Sequence, residues 1–119
     1  ALIQAFFFKL NAADALVISF AEHNGSYSAA YKNLFDWASR VQKKVYENKP
    51  VLILSTSPGP GGASSVLAAA VGSMPYFGAL VKGSLSIPNF YANFDEEKGA
   101  LIQPELDATL RQVVLALVK

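Results

Sequence analysis

Two apolar runs constrain this chain more than anything else in it. Leu16-Val17-Ile18-Ser19-Phe20 and Val51-Leu52-Ile53-Leu54 have strand length, and neither shows the clean alternation of a strand with one wet face. Such runs suit strands covered on both sides, as in a parallel sheet held between helices. The first opens into a polar loop, Glu22-His23-Asn24-Gly25-Ser26, and the second into Ser55-Thr56-Ser57-Pro58-Gly59-Pro60-Gly61-Gly62. A segment of helical spacing follows each loop.

The segments around these runs complete an alternating order. Residues 1–12 carry Ile3, Phe6, Phe7 and Leu10 at helical spacing. From Ser28 to Tyr46, the positions Ala30, Leu34, Trp37, Val41 and Val45 predict one apolar face of a long helix, with Trp37 in the core. Val66, Leu67, Ala70, Val71 and Met74 mark a helix broken near Pro75, and Leu80 to Ile87 reads as a third strand. Asp95 to Gly99 is a polar turn. Pro104 stands where a first-turn proline is tolerated, ahead of Leu106, Leu110, Val113, Val114 and Leu117 in a last amphipathic helix. The order α-β-α-β-α-β-α predicts an α/β fold: a parallel sheet, helices on both faces and right-handed crossovers.

Composition adds a constraint on completeness. The 119 residues suffice for one domain at most. Apolar residues make up 52% and charged residues 16%, below the roughly 25% usual in globular domains. Either an oligomer or a missing part of the same domain would bury that surplus. A helix-first order, a sheet of three strands and a start at Ala1 rather than Met favour a fold lacking its first one or two strands. That would leave an open edge on the Leu16–Phe20 strand.

Several function classes are disfavoured. The net charge of +1 gives no strong electrostatic footprint for nucleic acid. Arg40, Lys43, Lys44 and Lys49 read as a solvated cluster complementing a helix C-terminus. Cysteine is absent, which removes disulfides, thiolate metal sites and a cysteine nucleophile, and fits a cytoplasmic location. No apolar run approaches the ~20 residues of a membrane span. His23 is the only histidine, so neither a His-based metal cluster nor a Ser-His-Asp triad can be built. Asp36 and Arg40, at i, i+4, suggest a surface ion pair of ~0.3–0.5 kcal/mol. Asn24-Gly25-Ser26 matches a glycosylation sequon by coincidence, and Asp95-Glu96-Glu97 is a solvated turn.

In open α/β sheets, ligands bind at the carboxyl ends of the strands, where helix N-termini offer free N–H groups. The two loops occupy such places. Gly62-Ala63-Ser64 lacks the lysine of a P-loop, and Gly59-Pro60-Gly61 followed by Ser64 only approaches a dinucleotide fingerprint. A turn whose glycines let the backbone approach a flat ring, and a plain tight turn with no ligand, both stay open at this level.

The first loop and its helix are more specific. Glu22-His23-Asn24-Gly25-Ser26, followed by Lys32-Asn33-Leu34-Phe35-Asp36-Trp37-Ala38-Ser39-Arg40, resembles the E-Y-N-G-S…L-K-N-x-x-D-W-x-S-R segment of the NAD(P)H-dependent FMN reductases, relatives of quinone, chromate and azo-dye reductases. The loop Ser55 to Ala63 is similar to the one after that family's fourth strand, and Gly78 to Phe90 is similar to its fifth-strand region. The resemblance implies a flavodoxin-like three-layer sandwich, with residues 1–119 its C-terminal two-thirds. It implies FMN and NAD(P)H as cofactors, with Glu22, His23, Asn24 and Gly25 flanking the flavin ring and Ser57, Gly59 and Gly62 lining its pyrimidine side. Hydride would pass from nicotinamide to flavin and on to free flavin, a quinone or a similar acceptor, with no protein acid or base required. It also implies a homodimer or homotetramer, with the long helix at an interface.

Three departures stand out. Ala21 replaces the family's proline, His23 replaces its tyrosine, and the first strand with its G-S-x-R-x-x-S phosphate loop is not in this sequence. Two further readings follow. One is a catalytically empty fragment that only packs and oligomerises. The other is a phospho-receiver, disfavoured because neither strand ends in aspartate.

Overall fold

The computed structural model describes residues 2–118; Ala1 and Lys119 lie outside it, and with them the reading made from the first residue. The chain runs α1 (Leu2–Ala12), β1 (Leu16–Phe20), β2 (Glu22–His23), β3 (Ser26–Tyr27), α2 (Ala29–Val41), β4 (Pro50–Thr56) and α3 (Ser64–Ser73). A 3-10 turn (Met74–Phe77) then leads to β5 (Leu80–Ile87), α4 (Phe90–Asn93), β6 (Phe94–Asp95), β7 (Ala100–Leu101) and α5 (Pro104–Leu117). The main sheet has the order β1-β4-β5, all parallel. This is the flavodoxin-like α/β arrangement expected from the sequence.

Strand β4 is the centre of the molecule. Val51, Leu52 and Ile53 are all fully buried, so the unalternating run does lie between two layers. Val51 and Ile53 belong to one core with Ala38 of α2, Val66 and Ala70 of α3, and Leu10 of α1. On the opposite face, Leu52 and Gly83 meet Val113 of α5, where a Cβ on Gly83 would lie 3.4 Å from the valine. Helix α5 packs mainly on β5 and β4, and also touches β7.

That placement corrects the reading of β1. Leu16, Ile18 and Phe20 face the core, but Val17 is 57% exposed and Ser19 is open. The strand is covered on one face, because α5 does not extend over it. Its outer edge pairs with no other strand among the described residues.

Helix α2 departs from its predicted face and length. Trp37 is 64% exposed, and Ala30 and Val41 are also open. The inward face carries Tyr31, Phe35 and Ala38 instead, rotated by one residue from the predicted stripe. The aromatics win because they find partners. Tyr31 packs on Phe20, Tyr27 and Phe35 with ring centroids 4.8, 5.1 and 5.9 Å apart, and Phe35 meets Phe77 edge-on at 4.8 Å. The helix ends at Val41, and Val45 and Tyr46 are buried from the turn that follows it. Asp36 pairs with Lys32 at 2.8 Å, not with Arg40.

Lys49 is also not the solvated charge expected of it. Its Nζ donates to the carbonyls of Leu10, Asn11 (2.9 Å) and Ala13, at the C-terminal end of α1. A cation there supplements the Ala13 N–H, which reaches Leu10 O at 3.2 Å, and opposes the negative dipole end. The cluster with Arg40, Lys43 and Lys44 is therefore broken up, and α1 is tied to the start of β4. The polar turn from Asp95 to Gly99 is present. Asp95 Oδ1 accepts from the N–H groups of Glu97 (3.0 Å) and Lys98 (3.2 Å), and the turn it shapes closes the short β6–β7 hairpin. No helix among the described residues is long and apolar enough to cross a membrane.

Two predictions follow from this packing. Lys49→Met keeps the aliphatic stem but removes three charged donations, and is expected to cost about 1–3 kcal/mol in urea unfolding. The hydroxyls of Tyr31 and Tyr46 hydrogen-bond to each other inside the aromatic cluster. Burial, aided by neighbouring tyrosines, raises the pKa of both, that of Tyr46 to about 12. In the unfolded chain both ionise near pH 10, so their contribution is complete below about pH 10 and is lost as the pH rises towards the folded value. Unfolding midpoints measured from pH 8 to 11 are expected to fall above pH 10, and to fall less in Tyr46→Phe.

Candidate functional site

The polar loop after β1 folds back as the small antiparallel hairpin β2–β3, pairing Glu22 with Tyr27 and His23 with Ser26. Asn24 and Gly25 make the turn with φ of 53° and 82°, a left-handed pair that Asn-Gly accommodates with least strain. Directly opposed residues of such a ribbon share a face. Glu22 and Tyr27 therefore point one way, and both are half-buried, while His23 and Ser26 point the other way and are exposed. Asn24 and Gly25 are exposed at the tip, and a Cβ on Gly25 would meet nothing within 4 Å.

The second loop leaves β4 at Thr56 and enters α3 at Ser64. Its shape is held from below at one peptide. Ser55 of β4 and Ser86 of β5 both donate their hydroxyls to the carbonyl of Gly62, at 2.8 and 2.7 Å. A trans peptide sends its N–H opposite to its carbonyl, so the Ala63 N–H points away from the two serines. Gly62 has φ 61° and is buried, and a Cβ there would lie 2.2 Å from Ser86 Oγ. Ala63 follows in the left-handed region at φ 59° and supplies no side-chain cap to α3. At Gly59, by contrast, a Cβ would meet nothing within 4 Å.

A third segment, the end of the region likened to the family's fifth strand, fastens the loop from the side. The Asn89 N–H donates to Gly59 O at 2.8 Å and the Phe90 N–H to Ser57 O at 3.0 Å. Thr56 Oγ1 donates to Ile87 O at 2.6 Å, and Asn93 Nδ2 braces the segment through Pro88 O at 2.8 Å. Ser57 Oγ makes a contact of 3.3 Å with Gly59 O. The alternation Ser84-Leu85-Ser86 in β5 was the available sign that a hydroxyl serves this end of the sheet. The backbone bonds of residues 89 and 90 left no sign at all.

The two loops are joined to each other. Glu22 Oε1 accepts the backbone N–H of Val66, in the first turn of α3, at 2.7 Å. The seven expected site residues therefore fall into two groups. His23, Asn24, Gly25, Ser57 and Gly59 lie at the open side of the loops. Glu22 has one oxygen committed to α3, and Gly62 lies beneath the loop surface. Among the described residues there is no group of three or more His, Cys, Asp or Glu placed to hold a metal ion.

The Gly62 geometry is testable by a double-mutant cycle. Gly62→Ala is expected to destabilise by about 2–4 kcal/mol, from left-handed strain plus overlap with Ser86. Adding Ser86→Ala removes the overlapping hydroxyl, so the double variant is expected to be more stable than the sum of the singles implies.

Comparison with known proteins gives a consistent result. The family described as NADPH-dependent FMN reductase matches residues 1–92. An NADPH:quinone oxidoreductase of Arabidopsis thaliana is 43% identical over 63 residues, which is 53% of this chain and 32% of that protein. Probable NADPH:quinone oxidoreductase 1 of Oryza sativa subsp. japonica is 32% identical over 118 residues, 97% of this chain and 59% of its own length. The chain thus spans between a third and three-fifths of the curated relatives it matches. Among solved structures, the flavoenzyme NAD(P)H:(acceptor) oxidoreductase FerB of Paracoccus denitrificans superposes with a TM-score of 0.78 at 24% identity, over 98% of this chain and 65% of that one. That likeness establishes the shared fold. With three-quarters of its length under the family match, its parallel sheet and its two strand-end loops, this chain belongs to the NADPH-dependent FMN reductase family.

Proposed function

We propose that these residues form the ring side of an FMN site in an enzyme that takes hydride from NAD(P)H and delivers it to free flavin, a quinone or a similar planar acceptor. One observation carries the reading. The loops at the carboxyl ends of the adjacent strands β1 and β4 are brought side by side and bonded to each other, with open space over Gly25 and Gly59. That is where ligands bind in open α/β sheets. The names of the relatives, which are quinone and FMN reductases, support the same chemistry.

The residues present fit a flat, uncharged ring better than a group needing acid or metal. The open side offers glycine backbone and the exposed His23 imidazole and, among the described residues, no group of three or more His, Cys, Asp or Glu placed to hold a metal. FMN, when bound, supplies the two-electron chemistry itself. Within this reading, the protein's part is to orient the ring. His23, Asn24 and Gly25 border one side, Ser57 and Gly59 the other, and Gly62 shapes the second loop from within. A cytoplasmic location and a homodimer or homotetramer complete the reading, the latter supported by the exposed apolar residues of α1 and α2. Those same exposed residues favour the second reading, a unit that only packs and oligomerises.

Titration of the purified full-length protein with FMN separates the two. Quenching of flavin fluorescence, and NAD(P)H oxidation that depends on both FMN and a quinone, are expected for the first reading and neither for the second. Gly59→Val is expected to leave the unfolding midpoint nearly unchanged, because a Cβ at Gly59 meets no protein atom within 4 Å. It should weaken FMN binding at least tenfold, about 1.4 kcal/mol, because that side chain enters the space assigned to the ring. Unchanged affinity would remove Gly59 from the site.

A further inference from the structure

We infer that Glu22 is a positioning residue: together with Tyr27 it clasps the β2–β3 hairpin onto helix α3 at two points, and this clasp sets the spacing of the two loops. The inference rests on the reading of those loops as the walls of an FMN site, and gives Glu22 a different task from its neighbours there.

The geometry of the ribbon requires the division of labour. Glu22 and Tyr27 are opposed partners, so their side chains leave the hairpin on the same face. Glu22 Oε1 accepts from the Val66 N–H at 2.7 Å, and the Tyr27 hydroxyl lies 3.3 Å from Ser73 Oγ. Ser73 Oγ already donates to Ala69 O at 2.9 Å, so the tyrosine is the donor in that pair. Val66 is in the first turn of α3 and Ser73 is its last residue. The two anchors therefore lie about 10 Å apart along the helix axis. Two points fix a direction where one fixes only a distance.

Both elements also pack on the core, Tyr27 on Phe20 and Tyr31, and α3 through Val66 and Ala70, but that packing leaves the polar ends of each to the clasp. Two residues on each side make too short a ladder to hold its own shape in water. Helix α3 begins after Ala63, which has no side-chain acceptor; the Ser64 N–H bonds to Gly61 O, and the Val66 N–H takes its acceptor from Glu22. A carboxylate suits that position because the helix dipole is positive there. With Glu22 turned to the helix, the opposite pair, His23 and Ser26, is left on the open face.

Three variants of the full-length holoprotein test this. Glu22→Gln keeps an oxygen that accepts the Val66 N–H, so FMN affinity is expected to stay within about twofold of wild type. The bound flavin's midpoint potential should be unshifted, and the Val66 amide should remain protected from hydrogen exchange. Glu22→Ala has no acceptor, and should lose about tenfold in FMN affinity and open the Val66 amide. Tyr27→Phe keeps the ring packing and loses one anchor, so it is expected to fall between them. If Glu22→Ala does not fold, Glu22→Asp, one methylene too short, must show the same losses.

Equal weakening by Gln and Ala, or an equal shift of potential, would overturn the inference in favour of direct action of the carboxylate on the ring. An alanine variant indistinguishable from wild type would overturn it outright. If wild-type protein binds no FMN, it is the reading of the site that fails. Exchange at Val66 across the same variants then still decides whether the clasp exists.

Discussion

The complete burial of β4 is the constraint on which everything else in this molecule depends. A strand with Val51, Leu52 and Ile53 inaccessible to water has to be paired on both edges and covered on both faces. Strands β1 and β5 meet the first demand, and helices α1, α2 and α3 on one side with α5 on the other meet the second. Because the sheet is parallel, each strand leaves at the same end and each connection returns to the other. The loops after β1 and β4 therefore emerge next to each other. The site is a by-product of burying one strand.

Once the loops are adjacent, hydrogen bonds fix their detail, and most come from serine, glutamate and backbone. Ser55 is buried among apolar residues, yet its hydroxyl is used on Gly62 O. Ser86 does the same from the neighbouring strand. The effect is to prevent the glycine loop from sampling the conformations its composition allows. Glycine supplies access to an unusual backbone shape, and the hydroxyls choose one shape out of many. The site is built with almost no ionised groups, which suits a family whose chemistry resides in a cofactor.

The sequence exposed the local features and hid the distant ones. Strand runs, the glycine loop, the first-turn Pro104 and the breaks near Asn24-Gly25 and Pro75 were all legible, because each follows from a few adjacent residues. The inward face of α2 was not. Ala30, Leu34, Trp37 and Val41 make as good a stripe as Tyr31, Phe35 and Ala38, one residue or about 100° away. Periodicity cannot choose between two apolar stripes, and only the aromatic partners Phe20 and Phe77 settle it. The partners of Lys49 and Glu22 were hidden for the same reason. Each is bonded to an element some 40 residues away, and nothing nearby in the chain records that partner.

The Lys49 contact has a bearing on the order of folding events. Helix α1 precedes β4 in the chain, yet the carbonyls at its end find their donor 36 to 39 residues later. A helix whose C-terminal carbonyls take part of their donors from the residue that leads into the central strand does not mature by itself. Its last turn stays frayed until the β1–β4 pairing closes the intervening loop, and closing that loop carries an entropic cost before any contact repays it. A helix that precedes the central strand in the chain is thus among the later elements to acquire its final form.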